Sequence, residues 1–431
     1  MTGPPVRTWD AAVFLDPRVE TRDGHHGHAI EAALRDVLGD TYDRPRDQHR
    51  TALKRLVVGP GTLVTPPGGL VLQSMRYLDI ELDHTTIVGR GDIPAVLAID
   101  GSSFGRITGT GTIQGERSAG GKRADVPADV VVIRKSIEGH HAPNQTHFRF
   151  NGKISGLWRN AGFRGGLPGY TAAQEDHFKS DEIQVLGNYE VTQATGDADL
   201  CKVGIWAGNQ AWANNRRHKY GYLHVAWCET AVRTERTAVD VDYLVADGCR
   251  DIWVFGGAVT KHVIRGGEAE MCARFINDGS LQAHDHSLIV RDFFAKLDAW
   301  RPGLGGIPEK FNANACSIWG TRGNCILENV TIGSLPVQRD AQGVLRYAPA
   351  KPGGGASITN LPAPRFWSVQ PVANIFTRHC SAHGYRAAGN NNEFFALERG
   401  SHGFARHELW KNTEPDGVCL GTEMAVIDQR G

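Results

Sequence analysis

The feature that most constrains this chain is a cysteine that returns at a nearly fixed interval. The eight cysteines are Cys201, Cys228, Cys249, Cys272, Cys316, Cys325, Cys380 and Cys419, and none falls in the first 200 residues. From Cys201 the gaps to Cys228, Cys249, Cys272 and Cys316 are 27, 21, 23 and 44 residues, the last being twice 22. An apolar pair follows three and four residues after Cys228, Cys249 and Cys272, as in Cys249-Arg-Asp-Ile-Trp and Cys272-Ala-Arg-Phe-Ile. Self-similarity at such a period is the mark of a chain built from stacked units. No CxxC pair occurs, which argues against a zinc site. The expected role of each Cys is a small buried side chain stacked on its equivalent one repeat away.

The repeats are rich in Val, Ile, Trp and Phe and are broken by Gly, Asn and Asp. Val239, Val241, Tyr243 and Val245 alternate with Asp240, Asp242, Leu244 and Ala246, a period of two that signals strand. Glycine, 52 of 431 residues, is well above the usual share of roughly 7%, which demands many turns and hence many short strands. The expected fold class is all-β: a single-stranded right-handed parallel β-helix, a solenoid of about 22-residue coils, with an N-terminal capping α-helix. The helix is placed at residues 28–38, where Ile30, Ala33, Leu34, Val37 and Leu38 form an apolar stripe. The expected organisation is one domain: 1–45 as the N-terminal segment with its helix, 46–334 as the coils, 335–371 as a Pro/Gly-rich excursion, and 372–431 as the last coils and C-terminal cap.

Lys plus Arg equals Asp plus Glu at 47 each, so the basic surface of a duplex nucleic-acid binder is not expected. No apolar run approaches the length of a membrane span. Met1–Asp10 carries no basic head followed by an apolar core, so the sequence reading is of no secretory signal, and of a cytoplasmic or virion-tail location. Disulfides are not expected on that reading.

The order of a helix containing Ala29-Ile-Glu-Ala-Ala-Leu, then Val57-Val-Gly-Pro-Gly-Thr, then short β coils resembles the pectate-lyase (pectin lyase-like) superfamily and phage tailspike β-helices. The stretch from Gly109 to Gly115, Gly-Thr-Gly-Thr-Ile-Gln-Gly, is similar to a corner common in that group. The catalytic motifs of polygalacturonase-type enzymes are not found in their order, so the resemblance implies a fold and no catalytic set. It implies a phage tail-associated protein that recognises a cell-surface glycan, with or without depolymerase activity. The alternative is a soluble carbohydrate-active enzyme: a glycoside hydrolase, a polysaccharide lyase or an intramolecular fructotransferase. A polysaccharide or oligosaccharide partner and a homotrimer go with either reading, and no cofactor or metal is expected.

Two groups of residues are candidates for chemistry. The stretch 206–218 breaks the cysteine period and combines aromatic faces with hydrogen-bonding side chains: Trp206, Asn209, Trp212, Arg216 and Arg217 are the candidate binding residues. If Val239, Val241 and Tyr243 point inward, Asp240 and Asp242 point outward as a carboxylate pair suited to acid–base work. One coil on, His262 comes near Asp240, and a further coil brings His284 and His286 to the same face. Asp240, Asp242 and His284 are the catalytic candidates, with His262 in substrate binding. The cluster His25, His26 and His28 is expected to face solvent.

Overall fold

The computed structural model describes residues 11–134, 145–165, 181–193, 202–208, 215–256, 260–278, 286–297, 316–318 and 324–334, apart from a few single positions within them, and isolated strands from there to 405. Its strands are mostly parallel. They form five separate sheets of 15, 10, 6, 2 and 2 strands, none closed on itself. This corrects the expectation of one continuous right-handed β-helix. The physical reason is that a repeat length fixes which residue lies beside which. It carries no instruction about how the resulting sheets join. The chain divides into two compact units, Met1–Gly221 and Tyr222–Gly431.

In the first unit the chain visits three sheets in rotation. Leu56, Ile80, Ile107 and Phe150 stand in register in one of them. Leu63, Ile87, Ile113 and Ile154 do so in the second, and Leu97, Val131, Phe163 and Ile205 in the third. All twelve are buried. Each such side chain contributes about 1.5–3 kcal/mol by leaving water, so apolar identity at equivalent positions specifies the register. A small apolar cavity lined by Leu56, Leu63, Leu97 and the helix residues Ile30 and Leu34 shows that the three sheets share one interior there. Charge is matched by the same register. Asp79, almost fully buried, lies opposite Arg106 and accepts its Nε–H at 2.6 Å.

The helix runs Gly27–Leu38 and buries the five residues of the expected stripe. The His26 side chain does not cap its N-terminus; His25 Nδ1 accepts the Gly27 N–H at 3.0 Å. His26 instead ties the helix to the strand Gly61–Val64, the last strand at that end of its sheet. Its backbone N–H donates to the Val64 carbonyl and its Nδ1 accepts the Val64 N–H, both at 2.9 Å. Its Nε2–H donates to the Pro17 carbonyl at 2.9 Å. These bonds satisfy backbone groups that an open sheet edge leaves exposed. His26 is therefore buried, against the solvent-facing expectation, while His28 is exposed. In the Gly109–Gly115 stretch, a Cβ on Gly115 would sit 2.1 Å from the Leu157 carbonyl oxygen. Backbone approach, and no sugar chemistry, demands glycine there.

In the second unit Cys228, Cys249 and Cys272 are fully buried thiols in no disulfide. Each follows a residue with positive φ: Trp227 at 62°, Gly248 at 61° and Met271 at 54°. The thiols donate to backbone carbonyls, Cys249 to Val225 and Cys272 to Ala246 and Glu270. Burial, with the Cys249 thiol beside it, pushes the Cys272 thiol well above its ordinary range. These cysteines are corner fillers in register, as the spacing predicts. Cys201, Cys380 and Cys419 lie outside the described residues, and Cys316 and Cys325 are described as strand backbone only. The segment 335–371 lies largely outside them too. Within it Val337–Arg339 pairs antiparallel with Leu345–Tyr347, and Ser368–Val369 pairs parallel with Cys316–Ile318.

The period-two reading of the strand Thr237–Asp247 fails at one point. Val239 and Val241 face inward, but so do Leu244 and Ala246, while Tyr243 is exposed. Two successive residues, Asp242 and Tyr243, face outward, and the phase shifts by one. The same step recurs at Arg265–Gly266, Arg291–Asp292 and Glu328–Asn329, each placed between two buried residues. Asp292 and Asn329 have φ of 46° and 54° there, the left-handed region that short Asp and Asn side chains tolerate best. The strand turns a corner at this step, which no simple alternation anticipates.

Candidate ligand-binding ledge

These corners align into rows. Val241 pairs with Ile264 and Leu244 with Gly267, so Asp242 stands opposite Arg265 and Tyr243 opposite Gly266. The next strands continue both rows. Arg291 pairs with Glu328, and Asp292 lies beside Asn329. The first row is one of charge. Arg265 binds both oxygens of Asp240 and lies 3.7 Å from Asp242, and Arg291 lies 3.2 Å from Glu328. The second row starts with aromatic rings. Tyr222 and Tyr243 are offset-stacked with centroids 6.0 Å apart and planes 4° apart. Each is about two-fifths exposed, at 41% and 40%. Tyr243 covers Gly266: a Cβ at that glycine would lie 3.3 Å from the tyrosine ring. Beyond it, Asn329 Nδ2–H donates to Asp292 Oδ1 at 2.9 Å. One position further along, exposed Glu268 stands in register with exposed Phe294 and with buried Val245.

Such a ledge offers a flat aromatic floor bordered by carboxylates. Aromatic faces bind planar groups and cations. Sequence reasoning missed this arrangement because it assigned Tyr243 to the interior. The usable signal was an aromatic residue recurring at Tyr222 and Tyr243, one repeat apart, with glycine at the third position.

The residues singled out from the sequence are distributed differently. Asp240 is buried, at 5% exposure, against Arg265. Asp242 is half-exposed and shares the same arginine. His262 pairs in register with Val239, one position from the Asp240 alignment that was expected. A one-residue offset changes the face a side chain takes, and His262 is accordingly buried, its ring 6.0 Å from that of Trp253. In the first unit Trp206 is buried with Ala161 and Val203, with the Arg164 guanidinium 4.1 Å above its ring. Arg216 and Arg217 lie in the strand Asn215–Ala226. Asn209, Trp212 and His284 lie outside the described residues. Among the described residues no group of three or more His, Cys, Asp or Glu could hold a metal ion.

No family model, no curated protein and no solved structure matches this chain. That finding overturns the resemblance to the pectate-lyase superfamily and to phage tailspikes. The glycan-recognition reading, and the carbohydrate-active enzyme offered beside it, drew on that resemblance, on one continuous β-helix, on the composition of 206–218 and on an outward Asp240/Asp242 pair, of which Asp240 is buried. With five separate sheets in place of one β-helix, both are withdrawn. Among the described residues no helix is long and apolar enough to cross a membrane.

Proposed function

We propose that the chain is a binding protein whose contact surface is the Tyr222–Tyr243 ledge of the second unit. The observation that carries this reading is a pair of stacked tyrosines left two-fifths exposed on paired strands. Burying such a pair against a planar group gains about 0.5–1.5 kcal/mol beyond its area term. Ligand groups reach the ledge without rearrangement, because the rings are held by strand register and by the glycine beneath Tyr243.

The test is saturation-transfer NMR with a mixture of small planar fragments, aromatic and guanidinium, using wild type and the double variant Tyr222→Ala/Tyr243→Ala. The reading expects transfer in wild type and its loss in the variant, with circular dichroism showing the variant still folded at the temperature of the experiment. Absence of transfer in wild type, or equal transfer in both, overturns it. The homotrimer expected from the sequence stands as a second proposal, on closed symmetry alone. Analytical ultracentrifugation checks it, and a monomer at every concentration contradicts it.

A further inference from the structure

We infer that the ledge takes an arginine-bearing, cationic segment of another polypeptide. This inference rests on the binding reading above and adds the chemistry of the partner. Charge on the described part of the ledge is unevenly consumed. Both arginines of the corner row are already engaged, Arg265 with Asp240 and Asp242 and Arg291 with Glu328. Two exposed carboxylates border the tyrosine floor instead. Asp292 lies on the strand next to Gly266, bonded by the neutral amide of Asn329. Glu268 lies two residues beyond Gly266 on the same strand, in register with Phe294. Neighbouring strands are about 4.8 Å apart and alternate residues about 6.6 Å apart. Both carboxylates therefore stand within reach of a group lying on Tyr243.

A guanidinium fits this arrangement in two ways at once. Its plane stacks on a tyrosine face, and its edge presents paired N–H donors to a carboxylate. A lysine ammonium carries the same charge without the plane, so it loses the stacking share. A neutral planar group keeps stacking and loses the ion pairs. An anionic partner meets Asp292 and Glu268 with like charge. The partner that uses every feature is a basic segment presenting arginine.

The experiment is fluorescence anisotropy of the full chain with labelled ten-residue probes alternating glycine with arginine, lysine, glutamine or glutamate. The arginine probe is expected to bind, more tightly than the lysine probe by about fivefold, and to weaken as salt rises. Tyr243→Ala and, separately, Tyr222→Ala are expected to erase the arginine-over-lysine difference. Glu268→Gln with Asp292→Asn is expected to erase the salt dependence. Melting temperatures of all variants are measured alongside, and the conservative Tyr243→Phe is expected to retain the arginine preference. If arginine and lysine probes bind alike, or if binding is indifferent to both tyrosines, the inference is overturned. If the planar fragments touch the ledge but the arginine probe does not, the partner chemistry falls and the binding reading stands. If neither binds, both fall.

Discussion

His218 shows how one buried side chain ties stability to pH. It is fully buried, its Nδ1 is 2.9 Å from the Tyr220 hydroxyl, and its Nε2 has no hydrogen-bond partner. Burial depresses its pKa to about 3 from an ordinary value of 6.5. Between those two values only the unfolded chain takes up the proton. The contribution to stability is complete above about pH 6.5 and falls by about 1.4 kcal/mol per pH unit on acidification, until the folded ring protonates. Urea unfolding from pH 7 to pH 4.5 should show this slope reduced in His218→Gln, and equal slopes would contradict it. His26 makes a separate prediction. Replacing it with alanine leaves the Val64 N–H without its acceptor, at a cost of about 1–3 kcal/mol, read as a lower melting temperature. His26 and His28 are neighbours of the same type, and only geometry distinguishes the bonded ring from the exposed one. Residue type alone did not.

At the level of elements, the corner explains both what was legible and what was not. The helix stripe was legible because a 3.6-residue period survives unbroken from Ile30 to Leu38. The strand Thr237–Asp247 was legible as a strand but not as to which side chains face in. Its alternation skips one residue between Val241 and Leu244, and every outward assignment after that point inverts. The structural signature of the skip is a left-handed Asp or Asn on later strands. Asn329→Val should therefore cost about 1–2 kcal/mol while Asn329→Gly is nearly neutral, as measured by thermal unfolding. Paired strands also carry buried charge. Asp251 lies in register with Arg274, accepts its Nε–H at 2.5 Å and accepts that of Arg250 at 3.0 Å, and both Asp251 and Arg274 are buried. Asp251→Ala should destabilise the second unit by about 3–5 kcal/mol, because buried Arg274 loses this carboxylate while Arg250 keeps Glu229. A loss under 1 kcal/mol would show the cluster to be solvated.

For the whole molecule, the repeat in the cysteines reported register faithfully and architecture only in part. Cys228, Cys249 and Cys272 do sit at equivalent corners, yet the strands they join belong to separate sheets. What remains is local geometry in the second unit, and it stands or falls on whether Tyr222 and Tyr243 meet. A double-mutant cycle on stability, with Tyr222→Ala, Tyr243→Ala and the pair, measures that contact directly. The stacked rings should show a coupling of about 0.5–1.5 kcal/mol. Strict additivity of the two single effects would contradict the stacked pair, and with it the ledge.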